Sequence, residues 1–194
     1  MAQKTRQIHV GPVAVGGGAK IAVQSITNPH TRDAAATLAQ IRALADAGCE
    51  IVRCAVPDMD AAHALADICE GSPIPVVADI HFDYRLAIES IAAGVHKIRL
   101  NPGNIGSDDR VKAVVQAARA RNIPIRIGVN SGSVEKSILA KYGAPTPEAL
   151  VESALYHASL LEKFDFYDIC LSMKSSSVPY SMRAYQLAHE QTDY

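Results

Sequence analysis

The sequence predicts an α/β fold, a TIM-type (β/α)8 barrel of which this chain supplies about six strand–helix units. Short β-branched apolar segments alternate with alanine-rich stretches of helical period, which is typical of successive βαβ units and a parallel sheet. The segments are continuously apolar, as expected for strands covered on both faces. Polar residues gather at the ends of these segments, where a barrel has its active-site mouth. An open dinucleotide-binding sheet is disfavoured, because no G-x-G-x-x-G follows the first strand.

The elements can be placed in order along the chain. The predicted strands are 21–24, 51–56, 74–80, 97–100, 125–129 and 167–172. The predicted helices are 34–47, 60–68, 83–93, 108–121, 147–163 and 180–189. Gly48 and Gly94 are expected to end two helices in the left-handed conformation. Asp33, Ser107 and Thr146 are the predicted N-caps of the helices that begin at 34, 108 and 147.

Composition restricts the class of protein. The chain has 194 residues, a formal net charge of −1, 48% hydrophobic residues and 20% charged residues, which favours a folded core over disorder. Near-neutral charge argues against nucleic-acid or membrane-surface binding, and no apolar run is long enough to span a membrane. Residues 1–6 are polar and lack a signal core, so we expect a cytoplasmic protein. Residues 1–19 are predicted as an N-terminal extension or hairpin, and residues 20–194 as the partial barrel.

The cysteines predict no metal site. Cys49, Cys54, Cys69 and Cys170 form no C-x-x-C pair, and the spacing of a plant-type ferredoxin is not completed. We interpret them as reduced thiols in or near the core.

Polar residues on five consecutive strand ends form the candidate site. Within a strand they are spaced by two or four positions, so they share one face, which in a barrel is the interior. They are Arg53, then Asp79 with His81, Arg99 with Asn101, Arg126 with Asn130, and Ser172 with Lys174.

The charges of these residues indicate an anion site. Three arginines and Lys174 face essentially one carboxylate, Asp79, and burying unpaired charge is costly unless a ligand neutralises it. Arginine offers a bidentate fork for phosphate and lysine a mobile charge, so a small polyanion is the favoured ligand. The alternative is that each arginine pairs with a carboxylate from a neighbouring loop.

Two further features remain open at this stage. His81 could act as a general acid or base, but orienting Asp79 is the favoured role. The other histidines, including His157, show no metal-ligand spacing. The loop 101–106 is interpreted as a wall of the pocket rather than a phosphate cradle, because Asp108 and Asp109 already occupy the N-terminal turn of the next helix.

Four of these segments carry a family resemblance. The motifs are VQSITN at 23–28, VADIHFDYR at 77–85, RLNPGNIG at 99–106 and IPIRIGVNSGS at 123–133. They closely resemble the 4-hydroxy-3-methylbut-2-enyl diphosphate synthases, iron–sulfur enzymes of the methylerythritol phosphate pathway of isoprenoid biosynthesis. The resemblance covers nearly the whole chain.

The resemblance implies an activity, a cofactor and partners. Such enzymes are oxidoreductases that reductively open and dehydrate 2-C-methyl-D-erythritol 2,4-cyclodiphosphate. Their electrons come from flavodoxin or ferredoxin through a 4Fe-4S cluster. The family fold is a barrel followed by a ferredoxin-like domain that holds the cluster. The resemblance also implies a homodimer for the full-length protein. By this resemblance, the last two barrel strands, the ferredoxin-like domain and the cluster ligands are expected beyond Tyr194, with no cofactor bound by this piece.

The resemblance also implies roles for individual residues. It places four cations on the diphosphate: Arg53, Arg99, Arg126 and Lys174. It implies that Asn101 and Asn130 donate hydrogen bonds to the diphosphate and that Asp79 helps to hold the cations. No residue is assigned to catalysis, with His81 a second-tier candidate.

Two alternatives to this function stay open from the sequence. One is a pterin-binding barrel of the dihydropteroate synthase type. The other is a non-catalytic remnant that binds anions. Because six strand–helix units cannot close an eight-stranded barrel, we expect unpaired edge strands. We therefore expect a piece that is inactive alone and marginally stable unless it oligomerises.

Overall fold

The computed structural model describes residues 5–194. It contains a short N-terminal hairpin and then strands alternating with helices. The strands are β1 Ile8–Val10, β2 Val13–Val15, β3 Gln24–Ile26, β4 Ile51–Ala55, β5 Val76–Asp79, β6 Lys97–Arg99, β7 Ile125–Asn130 and β8 Ile169–Lys174. The helices are α1 Ala34–Asp46, α2 Met59–Gly71, α3 Tyr84–Ala92, α4 Asp108–Ala120, α5 Lys136–Tyr142, α6 Pro147–Glu162 and α7 Val178–Gln191.

The sheet has six parallel strands in the order of the chain, from β3 to β8. The main core combines one set of strand side chains with the inner faces of the helices and includes Val52, Ile98 and Ile127. Among the described residues, β3 and β8 each pair with one strand only, so the sheet is a curled part of a barrel. The predictions of an incomplete (β/α)8 barrel and of unpaired edges are confirmed.

The N-terminal hairpin covers the other face of the sheet at its base. β1 and β2 pair antiparallel, and Val10 is fully buried against Ile51 and Val77. Those two residues precede Arg53 and Asp79 by two positions, so Val10 lies on the face that carries the predicted site. The predicted hairpin is therefore present. The division between an extension and a barrel at residue 19 stays a prediction, and residues 1–4 lie outside the described residues.

Helix ends follow the sequence closely. Asp33 and Thr146 accept hydrogen bonds from the backbone N–H of Ala36 and Ala149. Gly48 adopts the left-handed conformation at φ 93°, as does Gly94, and both predictions are confirmed. Ser107 occupies its predicted N-cap position, but its side chain forms no capping hydrogen bond.

The first strand of the sheet starts later than predicted. Pairing with β4 begins at Gln24, opposite Ile51, so the apolar residues before it have no partner strand. Ile21 is 90% exposed and Val23 is 54% exposed. Apolar character alone placed the strand at 21–24, and that boundary was wrong.

Helix α5 was absent from the prediction. It has seven residues, too few to show a clear helical period, and Gly143 ends it at φ 74°. Two short 3-10 turns, Pro102–Asn104 and Ser131–Ser133, also follow β6 and β7. In residues 5–194, no helix is both long and apolar enough to span a bilayer.

Candidate functional site

A pocket of about 520 Å³ opens at the C-terminal ends of the strands. Because the sheet is curled, residues of both edge strands, β3 and β8, line this pocket together with residues of the strands between them. Its lining is predominantly polar and includes residues from all six strands of the sheet and from the loop after β5: Gln24, Ser25, Ile26, Arg53, Asp79, His81, Arg99, Arg126, Gly128, Asn130, Ser172 and Lys174. All the predicted site residues except Asn101 line this pocket.

Asp79 holds two of the arginines. Its Oδ1 accepts a hydrogen bond from Arg99 Nη1 at 2.9 Å, and its Oδ2 lies 3.4 Å from Arg53 Nε. Both Asp79 and Arg99 are buried, at 6% and 9% exposure. Burial lowers the pKa of the Arg53 guanidinium, and the Asp79 charge opposes that shift. One carboxylate therefore fixes two cations at the base of the pocket.

The other two cations have no such partner. Within residues 5–194, no carboxylate lies within 4.0 Å of Arg126 or Lys174, whereas Arg126 Nη2 donates to Ser172 Oγ at 2.6 Å. The alternative in which each arginine pairs with its own carboxylate is thus excluded for Arg126. The pocket keeps an excess of positive charge that a bound anion would neutralise.

Asn101 supports the pocket wall from behind. Its Nδ2 donates to the carbonyl oxygen of Gly128 at 3.0 Å, and its Oδ1 accepts from the Gly128 N–H at 2.9 Å. The same carbonyl oxygen accepts from Arg99 Nη2 at 2.9 Å. A β-carbon at residue 128 would overlap the Arg99 guanidinium, so glycine is needed there for close approach. In this arrangement Asn101 orients Gly128 and Arg99.

His81 lies at the rim of the pocket. Its Nδ1 is 3.4 Å from Arg99 Nη1 and its Nε2 is 3.9 Å from Asp79 Oδ1, while its side chain is 56% exposed. These contacts agree with the interpretation that His81 orients the Asp79–Arg99 pair.

The loop after β6 does not turn its amides into the pocket. The Gly103 N–H donates instead to His157 Nδ1 at 3.1 Å. No residue of the loop 101–106 lines the pocket, so the interpretation of this loop as a wall of the pocket was wrong. The loop reaches the pocket lining only through the hydrogen bonds between Asn101 and Gly128. His157 and Gly128 were both missed as candidates from the sequence. Glycine inside a predicted strand was the available signal for Gly128, whereas a lone histidine on a helix gave none.

The described residues do not fit an iron–sulfur cluster. The four cysteines are free thiols, of which Cys49 and Cys54 are buried. Burial raises the pKa of the Cys54 and Cys170 thiols and raises that of Cys69 to about 12, whereas a metal ligand must be a thiolate. Across residues 5–194, no three His, Cys, Asp or Glu side chains converge as metal ligands.

Comparison with protein families decides the classification. The family model described as the GcpE TIM-barrel domain matches residues 5–194. The chain belongs to the GcpE family. The match covers the hairpin, every strand of the curled sheet and the pocket at their ends.

Curated GcpE relatives are similar over the whole chain. The chain is 59% identical over 192 residues to a 4-hydroxy-3-methylbut-2-en-1-yl diphosphate synthase (flavodoxin) of Maridesulfovibrio salexigens, covering 99% of this chain and 54% of the relative. It is 59% identical over 194 residues to the protein of the same name from Geobacter sulfurreducens, covering 100% and 55%. The chain thus spans about half the length of these relatives.

Solved structures support the fold of this GcpE chain. A 7,8-dihydropteroate synthase from Vibrio fischeri matches with a TM-score of 0.62 and 12% identity, covering 96% of this chain and 73% of that one. A phospho-2-dehydro-3-deoxyheptonate aldolase from Thermotoga maritima matches with a TM-score of 0.59 and 13% identity, covering 87% and 45%. At these identities the likeness concerns the barrel fold alone.

Proposed function

We propose that this GcpE chain is the substrate-binding barrel of a 4-hydroxy-3-methylbut-2-en-1-yl diphosphate synthase. The observation that carries the proposal is the pocket in which Arg126 and Lys174 lack carboxylate partners while Arg53 and Arg99 share Asp79. The names of the relatives supply the reaction class. The proposed substrate is 2-C-methyl-D-erythritol 2,4-cyclodiphosphate, a small polyanion of the kind that the pocket charge favours.

The pocket residues would divide the work of binding. Arg126 and Lys174 would take the phosphate oxygens directly, because neither is neutralised by the protein. Arg53 and Arg99 would present guanidinium groups whose positions Asp79 already fixes, which lowers the entropy lost on binding. Asn130 at the mouth would add a hydrogen bond. Asn101 would act by holding Gly128, and His81 would orient the Asp79–Arg99 pair at the rim.

The whole protein needs parts that the described residues do not supply. We include in the proposal a 4Fe-4S cluster, flavodoxin or ferredoxin as the electron donor, a homodimer and a cytoplasmic location. Since the cysteines here do not fit a cluster, its ligands would come from outside the described residues. The barrel piece would bind substrate without turning it over. Stoichiometric iron and sulfide on this chain after anaerobic reconstitution would contradict that assignment.

A ligand series tests the binding proposal. The 194-residue chain is titrated calorimetrically with neutral 2-C-methyl-D-erythritol, with its monophosphate and with the cyclodiphosphate. Affinity should rise with phosphate charge and fall as salt screens the pocket. Equal affinity for the neutral polyol, or binding of a pterin in preference to all three, would contradict the proposal.

A further inference from the structure

A buried histidine connects the two loops that follow β6 and β7, two strands that line the pocket. His157 lies on α6 and is 1% exposed. Its Nδ1 accepts a hydrogen bond from the N–H of Gly103, in the 3-10 turn after β6, at 3.1 Å. Its Nε2 lies 2.6 Å from Oε1 of Glu135, in the segment that joins β7 to α5. One side chain thus contacts the loops that follow neighbouring strands.

The contacts define the protonation state of the ring. Because a backbone N–H can only donate, Nδ1 of His157 is an acceptor and the ring proton is on Nε2. That proton faces the Glu135 carboxylate, although the pair is not aligned as a full hydrogen bond. Burial lowers the pKa of His157 and so favours the neutral ring.

The contact between ring and loop is also sterically tight. A β-carbon at residue 103 would lie 2.8 Å from Cε1 of His157, so only glycine fits there without movement. The position of the turn therefore follows the position of the ring.

The turn is linked to the pocket lining through Asn101. Gly103 is two residues beyond Asn101, whose side-chain amide makes two hydrogen bonds with Gly128. The Gly128 carbonyl oxygen in turn accepts from Arg99. Movement of the turn would therefore reach a guanidinium that lines the pocket.

We propose that His157 is a positioning residue of the anion pocket, which holds the loop after β6 against the loop after β7 through Gly103 and Glu135. This inference rests on the proposed function for its effect on diphosphate binding. The hydrogen bond to Gly103 is the essential contact, because it fixes the turn that directly follows Asn101.

Two amide variants separate the contacts of the ring. In His157→Asn the side-chain carbonyl can occupy the place of Nδ1 and still accept from Gly103. In His157→Gln the side chain reaches towards Glu135 instead. His157→Phe keeps a ring without either contact. Each variant is titrated with inorganic pyrophosphate, and exchange of the Gly103 amide hydrogen is followed by NMR.

We expect His157→Asn to keep the Gly103 amide protected and the pyrophosphate affinity close to that of the unsubstituted chain. His157→Gln and His157→Phe should expose the amide and weaken binding by about threefold to tenfold, the effect of one lost hydrogen bond. Equal affinity in all variants, or equal loss in Asn and Gln, would overturn the proposal.

The hydrogen bond between Gly103 and His157 can also be tested by NMR on the unsubstituted chain, so that this test does not depend on the folding of a variant. Scalar coupling between the Gly103 nitrogen and His157 Nδ1 across the hydrogen bond should be detectable in a nitrogen-15 labelled sample. Its absence, with pyrophosphate still bound, would overturn the positioning role alone. Absence of pyrophosphate binding would overturn the proposed function, even with the coupling present.

Discussion

Replacing Asp79 with asparagine removes the one carboxylate that holds the cationic pocket together. Asp79 Oδ1 receives Arg99 at 2.9 Å and Oδ2 faces Arg53 at 3.4 Å. Breaking a buried ion pair by removing one partner costs about 3–5 kcal/mol. Because the Arg53 side chain is 25% exposed and partly screened by water, the lower end applies, about 3 kcal/mol. For a chain of this size that loss lowers the Tm by about 6–12 °C.

The assay is thermal unfolding of Asp79→Asn with and without pyrophosphate. A bound anion would restore negative charge beside Arg53 and Arg99, so pyrophosphate should raise the Tm more in the variant than in the unsubstituted chain. Asp67→Asn, on the exposed face of α2, is the matched control and should leave the Tm unchanged. An unchanged Tm in Asp79→Asn, or an equal pyrophosphate effect in both proteins, would show that Asp79 does not hold the two arginines in the folded chain.

Three further substitutions test the close approach at Gly128, the packing of the hairpin and the protonation state of His157. Gly128→Ala would press a methyl group into the buried Arg99 guanidinium and should weaken pyrophosphate binding, measured by calorimetry, about tenfold. Gly132→Ala, where a methyl group meets open space, is the control and should not weaken binding. Equal affinities of the two variants would contradict the close approach of Arg99 to Gly128. Val10→Ala should lower the free energy of unfolding in urea by about 2 kcal/mol. His9 is exposed, so His9→Ala is the control and should leave that free energy unchanged. No loss of stability in Val10→Ala would show that the hairpin is not packed on the sheet. Burial lowers the pKa of His157 in the folded chain, so the contribution of its neutral ring to stability is present above about pH 6.5 and is lost as the pH falls further. The urea midpoint of His157→Asn should therefore fall less steeply with acid than that of the unsubstituted chain. Identical plots of midpoint against pH would contradict a neutral ring.

The strands of the sheet were predictable because burial on both faces leaves a continuous apolar run. β4 and β7 illustrate this, since each was located within one residue at either end. β3 was not, because Ile21 and Val23 are apolar yet exposed beyond the start of the partner strand. Pairing register is a property of two strands together, and one segment of sequence does not contain it.

The pocket was predictable to the extent that strand geometry determines it. Alternation along each strand was enough to place Asp79, Arg99, Arg126 and Lys174 on one face. The use of the Asn101 amide was not predictable, because it depends on a backbone group 27 positions further along the chain.

His157 shows a second limit of sequence reasoning. It lies on a helix, and its two contacts belong to loops that are distant in the sequence. Nothing in the residues around position 157 distinguishes it from a histidine that only packs in the core. Its role becomes visible when the loops after β6 and β7 are seen on either side of its ring.

Titration of Arg126→Ala with the cyclodiphosphate is the decisive measurement for an anion pocket built on unpartnered cations. Arg126 is the pocket arginine without a carboxylate partner among the described residues. We expect the unsubstituted chain to bind the cyclodiphosphate and Arg126→Ala to bind it about 10- to 100-fold more weakly, which is the effect of losing a charged hydrogen bond. Arg42→Ala, on the exposed side of α1, should bind as the unsubstituted chain does. Equally tight binding by Arg126→Ala would contradict the assignment of Arg126 to the diphosphate.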